Sequence, residues 1–195
     1  WAALEETIAY AHGKDVPVVL DGKRADIGNT ARQYAEILDR VDAITTHPYM
    51  GGDSLQPFLS QADAGVFVLC RTSNAGGADL QDLELGSGET VYERVADLAA
   101  AWNERDNVGL VVGATAPDEL AAIRERVPNL PFLVPGVGAQ GGDAEAAVTH
   151  GLADGVGLVN SSRGIIFAGE GKGEAFADAA GEAAKRLKRR LNEFR

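Results

Sequence analysis

The chain has 195 residues, of which 45% are hydrophobic, and its formal net charge is −11. This length and composition predict one globular domain with a sizeable core. The negative charge argues against a nucleic-acid partner, because phosphate backbones attract basic surfaces. No apolar run approaches the roughly 18–20 residues that a membrane span needs, which argues against a membrane protein. The single cysteine, Cys70, excludes a disulfide within the chain and fits a cytoplasmic location.

Strand-like apolar runs alternate with helix-like patterns along the whole chain. The predicted strands cover residues 16–21, 43–47, 65–70, 108–113, 131–136 and 155–160. The predicted helices cover residues 2–11, 30–39, 53–61, 89–104, 117–126, 143–150 and 174–194. Six strand–helix units after a leading helix predict an α/β protein with a parallel sheet that is covered on both faces.

Two architectures satisfy this alternation, an open doubly wound sheet and a closed (β/α)8 barrel. Polar or glycine residues stand at all the predicted strand ends, namely Asp21, His47, Arg71, Gly113, Gly136 and Asn160. A barrel gathers all its strand ends around one site, whereas an open sheet uses mainly those beside its switch point, so the pattern favours the barrel. A barrel needs eight units. We therefore expect residues 1–195 to form a single barrel domain that lacks its first two strand units, which would precede Trp1.

Charged residues cluster at the end of the first predicted strand, where residues 21–30 read DGKRADIGNT. Because strand side chains alternate between faces, Asp21 and Lys23 would project together. Asp26 would follow where the backbone turns into a helix. A lysine held among carboxylates stays protonated and can be aimed as an acid. The same spacing also occurs in ordinary surface ion pairs, so the spacing alone leaves both interpretations open.

A glycine-rich loop and an arginine follow the last two predicted strands. Residues 136–142 read GVGAQGG and contain G-x-G-x-x-G, the pattern of a dinucleotide site. No acid ends the next strand, as that site would require. A barrel phosphate site after strands seven and eight is the better interpretation, and a simple tight turn is the alternative. Arg163, directly after the last predicted strand, could bind such a phosphate through two parallel hydrogen bonds.

Two segments of the chain resemble one enzyme family. The string DGKRADIGNT is closely similar to the active-site strand end of orotidine 5′-phosphate decarboxylases, whose members read D-x-K-R-x-D-I-G-x-T. Residues 71–76, RTSNAG, resemble the [KR]-T-S-N-x-G loop of the same group. The resemblance implies a TIM barrel in which the first motif ends strand three. It also implies removal of CO₂ from orotidine 5′-phosphate to give UMP, the last step of pyrimidine nucleotide synthesis, with neither metal nor organic cofactor.

The resemblance also implies roles for residues of the first motif. Lys23 would stabilise the carbanion that develops at C6 of the pyrimidine and would then protonate it. Asp21 would lie beside the departing carboxylate and hold Lys23 in place. Asp26, together with Ile27 and Thr30, would reach into the active site of a partner subunit. The family likeness therefore predicts a homodimer with shared active sites.

The remaining implied site residues bind the two ends of the nucleotide. Ser73 would hydrogen-bond the pyrimidine ring, and Gln140 and Arg163 would bind the phosphate.

Two rival interpretations stay open. One is a magnesium-dependent sugar-phosphate lyase of the same superfamily, which shares D-x-K-x-x-D but continues as D-A-G. The other is a non-catalytic barrel fragment that binds phosphate ligands. The three histidines share no metal-like spacing.

Overall fold

The computed structural model describes residues 1–115, 117–137, 142–152, 157–171 and 173–195. Its strands form one six-stranded parallel sheet in which each strand pairs with its sequence neighbour. The strands are β1 (Val19–Arg24), β2 (Ala43–Thr46), β3 (Gly65–Arg71), β4 (Val108–Val112), β5 (Phe132–Pro135) and β6 (Gly157–Asn160). A doubly wound sheet would reverse its strand order at a switch point. The described sheet runs in chain order throughout, as in a barrel wall.

Helices connect the strands, as the sequence predicts. They are α1 (Ala2–His12), α2 (Gly28–Ala35), α3 (Gly52–Leu59), α4 (Val91–Trp102), α5 (Pro117–Arg126), α6 (Ala144–Ala146), α7 (Arg163–Ile166) and α8 (Phe176–Asn192). Short 3₁₀ turns cover Glu36–Asp39, Ala75–Asp79 and Gly173–Ala175, and a π-helical segment, Ala147–Leu152, continues α6. The sequence pattern does not predict α7, which is a single turn. Within the described ranges, none of the helices has the length and apolar character needed to span a membrane.

Alternation along the strands divides the apolar side chains into two layers. The outer layer packs under the helices and includes Ile44, Val66, Val68, Leu110, Val112, Phe132 and Val134. The inner layer lies on the opposite face of the sheet and consists of Ala43, Phe67, Leu69, Val111 and Leu133, with Val19 packed against it. Both faces of the sheet are therefore buried, which is why the strands read as continuous apolar runs. The sheet curls around the inner layer as a half-barrel.

The single cysteine lies in the outer layer. Cys70 on β3 is 3% exposed, and its thiol donates a 3.2 Å hydrogen bond to the backbone oxygen of Tyr92 on α4. Burial raises the pKa of the Cys70 thiol to about 12, because the charged form would lose its hydration. The thiol therefore stays protonated and unreactive in the folded protein.

An ionic brace joins α5 to α4. The guanidinium of Arg126 donates two 2.7 Å hydrogen bonds to Asp97 and one of 3.0 Å to Glu89. The hydrogen bonds from Arg126 hold the pKa of Asp97 below its usual range. Glu93 lies 3.6 Å from the same guanidinium, and its carboxylate also caps α4 by accepting the backbone N–H of Thr90. We call Arg126 and these acids the Arg126 brace.

Candidate active site

One cavity of about 440 Å³ opens at the carboxyl ends of the strands. Its apolar floor consists of the inner-layer residues Leu69, Val111 and Leu133. Its polar lining comes from three segments and consists of Asp21, Lys23, Thr72, Ser73, Asn74, Asn160, Ser161, Ser162 and Arg163. A volume of this size falls within the range of roughly 300–1,000 Å³ that is typical of small-molecule sites. The arrangement suits a ligand with one flat apolar part and charged or polar groups.

Asp21 and Lys23 form the charged pair that the sequence predicts. The Nζ atom of Lys23 donates a 2.5 Å hydrogen bond to Oδ1 of Asp21, and both side chains are about half exposed, at 49% and 56%. Strand β1 does not end at Asp21, as the pattern suggests, but continues to Arg24. The pair therefore lies on the strand itself, inside the cavity, rather than in a surface loop. An ammonium group held this way has a fixed position in the cavity.

The backbone around this pair departs from regular strand pairing. Pairing between β1 and β2 resumes at Arg24, four residues after Leu20, whereas their partners on β2 are only two residues apart. Residues 21–23 therefore stand opposite Thr45 alone. Lys23 has φ 46°, in the left-handed region that non-glycine residues seldom adopt. This bulge aims both side chains of the pair into the cavity.

Thr45 is a member of the site that the sequence pattern does not predict. Its hydroxyl accepts the backbone N–H of Lys23 at 2.9 Å and donates to Oδ1 of Asp21 at 2.9 Å. Thr45 is fully buried, with 0% exposure, and is not among the residues that line the cavity. The sequence shows a polar residue in a buried strand at this position. The pairing that makes it important is visible only in the structure.

The loop after β3 contains Ser73, and Arg71 at the end of that strand stabilises it. The side chain of Arg71 is 10% exposed and forms an ion pair with Asp82. It also donates to the side-chain oxygen of Gln81 at 3.2 Å, and that oxygen accepts the backbone N–H of Thr72 at 2.9 Å. The side-chain amide of Gln81 donates back to the Thr72 hydroxyl at 2.9 Å. Arg71 and Gln81 thus fix the backbone immediately before Ser73.

The turn after β4 supports the same loop from below. The Thr115 hydroxyl donates to the backbone oxygen of Ser73 at 3.1 Å. Gly113 packs so closely that a Cβ atom there would lie 2.9 Å from the backbone nitrogen and Cα of Ser73. Real Cβ contacts are essentially never shorter than 3.0 Å, so a side chain at residue 113 would displace the loop. The position of Ser73 in the cavity is therefore determined by two neighbouring turns.

A cationic and polar end of the cavity follows β6. Arg163 is the first residue of α7, and its exposed guanidinium makes no hydrogen bond or ion pair with any other described residue. Oδ1 of Asn160 is buried and also lacks a partner among the described residues. Gly136 and Val137 extend the lining toward the neighbouring loop. Gln140, which the family resemblance implies for phosphate binding, lies outside the described residues.

The structure thus brings Asp21, Lys23, Ser73 and Arg163 together around one cavity. Of the other predicted site residues, none of those that the structure describes lines this cavity.

Asp26, Ile27 and Thr30 follow β1 and are absent from the cavity lining. Oδ1 of Asp26 accepts the backbone N–H of Ile27 at 2.8 Å, and Ile27 is 60% exposed. Thr30 is exposed on α2. Across the described ranges, no group of three or more His, Cys, Asp or Glu side chains is placed to hold a metal ion.

Fold and site together define a class: an α/β half-barrel with a paired lysine and aspartate and an arginine in one cavity at the carboxyl edge of its sheet. A family model described as "Orotidine 5'-phosphate decarboxylase / HUMPS family" matches residues 2–177. The chain belongs to this family.

Curated relatives and solved structures agree with this assignment. The orotidine 5′-phosphate decarboxylases of Halorubrum lacusprofundi and Haloarcula marismortui are each 72% identical over 100% of this chain and 75% of their own length. The OMP decarboxylase structure from Leishmania donovani is 45% identical, with a TM-score of 0.81 over 98% of this chain and 74% of that one. The Methanocaldococcus jannaschii enzyme, solved with the inhibitor BMP, is 26% identical, with a TM-score of 0.74 over 96% of this chain and 80% of that one.

Proposed function

We propose that this chain catalyses the decarboxylation of orotidine 5′-phosphate to UMP, the last step of pyrimidine nucleotide synthesis. The observation that carries the proposal is the Lys23–Asp21 pair, with its 2.5 Å contact, in one cavity with Ser73 and Arg163. Relatives that bear the decarboxylase name and share 68–72% of their residues with this chain support the same reaction. They favour it over a magnesium-dependent sugar-phosphate lyase. We also propose a cytoplasmic location, as expected for nucleotide synthesis.

The charged pair accounts for the chemical step. Cleavage of the bond between C6 and the carboxylate releases CO₂ and leaves an electron pair on C6. The Lys23 ammonium stabilises that charge as it develops and then transfers a proton to C6, which completes UMP. Asp21 keeps the ammonium beside C6 through its hydrogen bond to Nζ. The fixed position matters because the stabilising charge need not reorganise during the reaction.

The two ends of the cavity bind different parts of the nucleotide. Ser73, held by the turns after β3 and β4, contacts the pyrimidine above the apolar floor of the cavity. The Arg163 guanidinium, which has no partner among the described residues, binds the 5′-phosphate. The family resemblance implies Gln140, which lies outside the described residues, as a second residue that binds the phosphate. Binding energy from the phosphate helps to organise a reaction that occurs at the other end of the nucleotide.

The residues beyond the cavity suggest a shared site. Asp26, Ile27 and Thr30 follow β1 and do not line the cavity, and Ile27 and Thr30 are exposed. We propose that they complete the cavity of a second copy in a homodimer. We further propose that β1–β6 are strands three to eight of an eight-stranded barrel. Supporting this, β1 and β6 each have one neighbour in the described sheet and both contribute to one cavity.

Substitution of Lys23 in the full-length protein tests the proposed reaction. Lys23→Ala should abolish conversion of orotidine 5′-phosphate to UMP while the melting temperature stays close to that of the wild type. Wild-type activity should also withstand EDTA. Near-normal turnover of Lys23→Ala would eliminate the lysine as proton donor. Loss of wild-type activity on chelation, with recovery on addition of magnesium, would instead favour the sugar-phosphate lyase.

A further inference from the structure

A buried threonine connects both members of the charged pair. Thr45 has 0% exposure and stands alone on β2 opposite residues 21–23 of β1. Its hydroxyl uses its acceptor capacity for the Lys23 backbone N–H and its proton for Oδ1 of Asp21, both at 2.9 Å. The same Asp21 oxygen accepts the hydrogen bond from Nζ of Lys23 at 2.5 Å. One hydroxyl thus joins the backbone and the side-chain partner of a single lysine.

The backbone of Lys23 needs such support. With φ 46°, this lysine has the left-handed conformation that persists in non-glycine residues only when the surroundings enforce it. The bulge removes the Lys23 N–H from regular pairing with β2, and the Thr45 hydroxyl replaces the missing acceptor. This hydrogen bond is partly buried, and an N–H there that loses its acceptor is costly, so loss of the hydroxyl would favour a different backbone conformation. The direction of the lysine side chain would change with it.

We propose that Thr45 is a positioning residue of the active site, whose hydroxyl fixes Lys23 and Asp21 for proton transfer without touching the substrate. This inference rests on the proposed function, in which Lys23 is the proton donor. It assigns a role to a residue on a neighbouring strand, 22 positions from Lys23. The hydroxyl, rather than the volume of the side chain, is the essential feature.

Four variants distinguish the effect of the Thr45 hydroxyl from the effect of side-chain packing. Thr45→Val keeps the branched shape and removes the hydroxyl, whereas Thr45→Ser keeps the hydroxyl. Thr46→Val is the matched control, because Thr46 is the next residue on β2 and is equally buried, and its hydroxyl has no partner among the described residues. Thr45→Ala carries the same expectation as Thr45→Val and avoids any clash of the second methyl group. All are made in the full-length protein.

The expected result is a selective loss of turnover. Thr45→Val should lower kcat roughly 10- to 100-fold, the scale of a displaced catalytic group, while the Kd for UMP changes less than about threefold. Thr45→Ser should retain most of the wild-type kcat, and Thr46→Val should match the wild type. Full kcat in Thr45→Val would overturn the proposal. An equal loss in Thr45→Ser or Thr46→Val would also overturn it, because packing would then explain the effect.

Amide hydrogen exchange gives a readout that does not depend on activity. The Lys23 amide proton should exchange faster in Thr45→Val, by about tenfold or more, than in Thr45→Ser or Thr46→Val. Equal protection in all three variants would disprove the positioning contact. A wild-type protein that binds UMP but does not decarboxylate the substrate would contradict the proposed function instead. The two failures are therefore distinguishable.

Discussion

Arginine side chains in this chain have different functions, and their contacts tell them apart. Arg124 is 8% exposed and donates hydrogen bonds to four backbone oxygens, two just after α5 and two in the π-helical segment, so its role is structural. Arg126 and Arg71 are paired with carboxylates. Arg163 makes no such contact with the described residues and faces the cavity. A cation without a protein partner, placed at a site, is available to an anionic ligand.

Arg163→Ala should weaken UMP binding by about 2–3 kcal/mol, the scale of a lost charge-assisted contact to phosphate. Binding of uridine, which lacks the phosphate, should change little. Calorimetry with both ligands measures the two losses. Arg105→Ala is the control, because Arg105 is an exposed arginine in the turn before β4. Equal losses for UMP and uridine would show that Arg163 does not bind the phosphate.

At the scale of secondary-structure elements, the turn after β4 determines where the loop after β3 lies. Gly113→Ala would place a methyl group 2.9 Å from the backbone of Ser73 and push that residue out of position. We expect UMP binding to weaken roughly tenfold or more, a cost typical of a misplaced site residue. Ribose 5-phosphate, which has no pyrimidine, should bind as it does to the wild type.

Gly86→Ala provides the control for this prediction, because a Cβ atom at residue 86 meets nothing within 4 Å. That variant should bind both ligands normally. A parallel loss of UMP and ribose 5-phosphate binding in Gly113→Ala would mean that the substitution disturbs the whole cavity. It would then carry no information about Ser73.

The Arg126 brace makes the packing of α4 against α5 dependent on pH. Arg126→Met should lower the free energy of unfolding at neutral pH by roughly 1–2 kcal/mol, since it removes several hydrogen bonds between charged groups. The pKa of Asp97 is lower in the folded protein than its usual value. The contribution of the brace is therefore complete above the unfolded pKa of about 4 and is lost as the pH falls through the folded-state pKa.

Urea unfolding at several pH values measures this effect. The difference between the wild type and Arg126→Met should be largest near about pH 6–7 and should shrink toward about pH 3, as the carboxylates become protonated. A difference that stays constant with pH would assign the stabilisation to the apolar stem of Arg126 rather than to its charge.

At the scale of the whole molecule, the proposed dimer can be tested by mixing two inactive variants. Lys23→Ala and Asp26→Asn homodimers should each be nearly inactive. In a mixed dimer, one site has both defects, and the other keeps its own Lys23 and receives an intact Asp26. Random exchange makes about half of the dimers mixed, so recovered activity should approach about one quarter of the wild type.

Mass spectrometry confirms that subunits have exchanged in this experiment. Complete exchange with no recovery would place Asp26 in the active site of its own subunit and would rule out the shared site.

Much of the architecture could be predicted because each strand and helix has a local signature. The apolar runs and the helical periods give the observed element order, and the motif at residues 21–30 identifies Lys23 and Asp21. Thr45 could not be predicted, because its role depends on an irregular pairing between β1 and β2. The contacts of Gly113 and Thr115 with Ser73 could not be predicted either, because these residues come about 40 positions later in the chain. Short-range patterns contain no information on such long-range contacts.

Because its thiol is buried on β3, Cys70 can be used to detect opening of the unmodified protein. Cys70 is the only cysteine, and it is buried, with a raised pKa, so it is protected from alkylation while the sheet is closed. Iodoacetamide can therefore react only with molecules in which β3 and α4 have separated. A nucleotide that binds the closed form should slow this labelling by the factor 1 + [L]/Kd. Mass spectrometry would measure the rate at which one alkyl group is added. That rate gives the conformational stability without ligand and the ligand affinity as the nucleotide is titrated, without fluorescent dye or engineered tag.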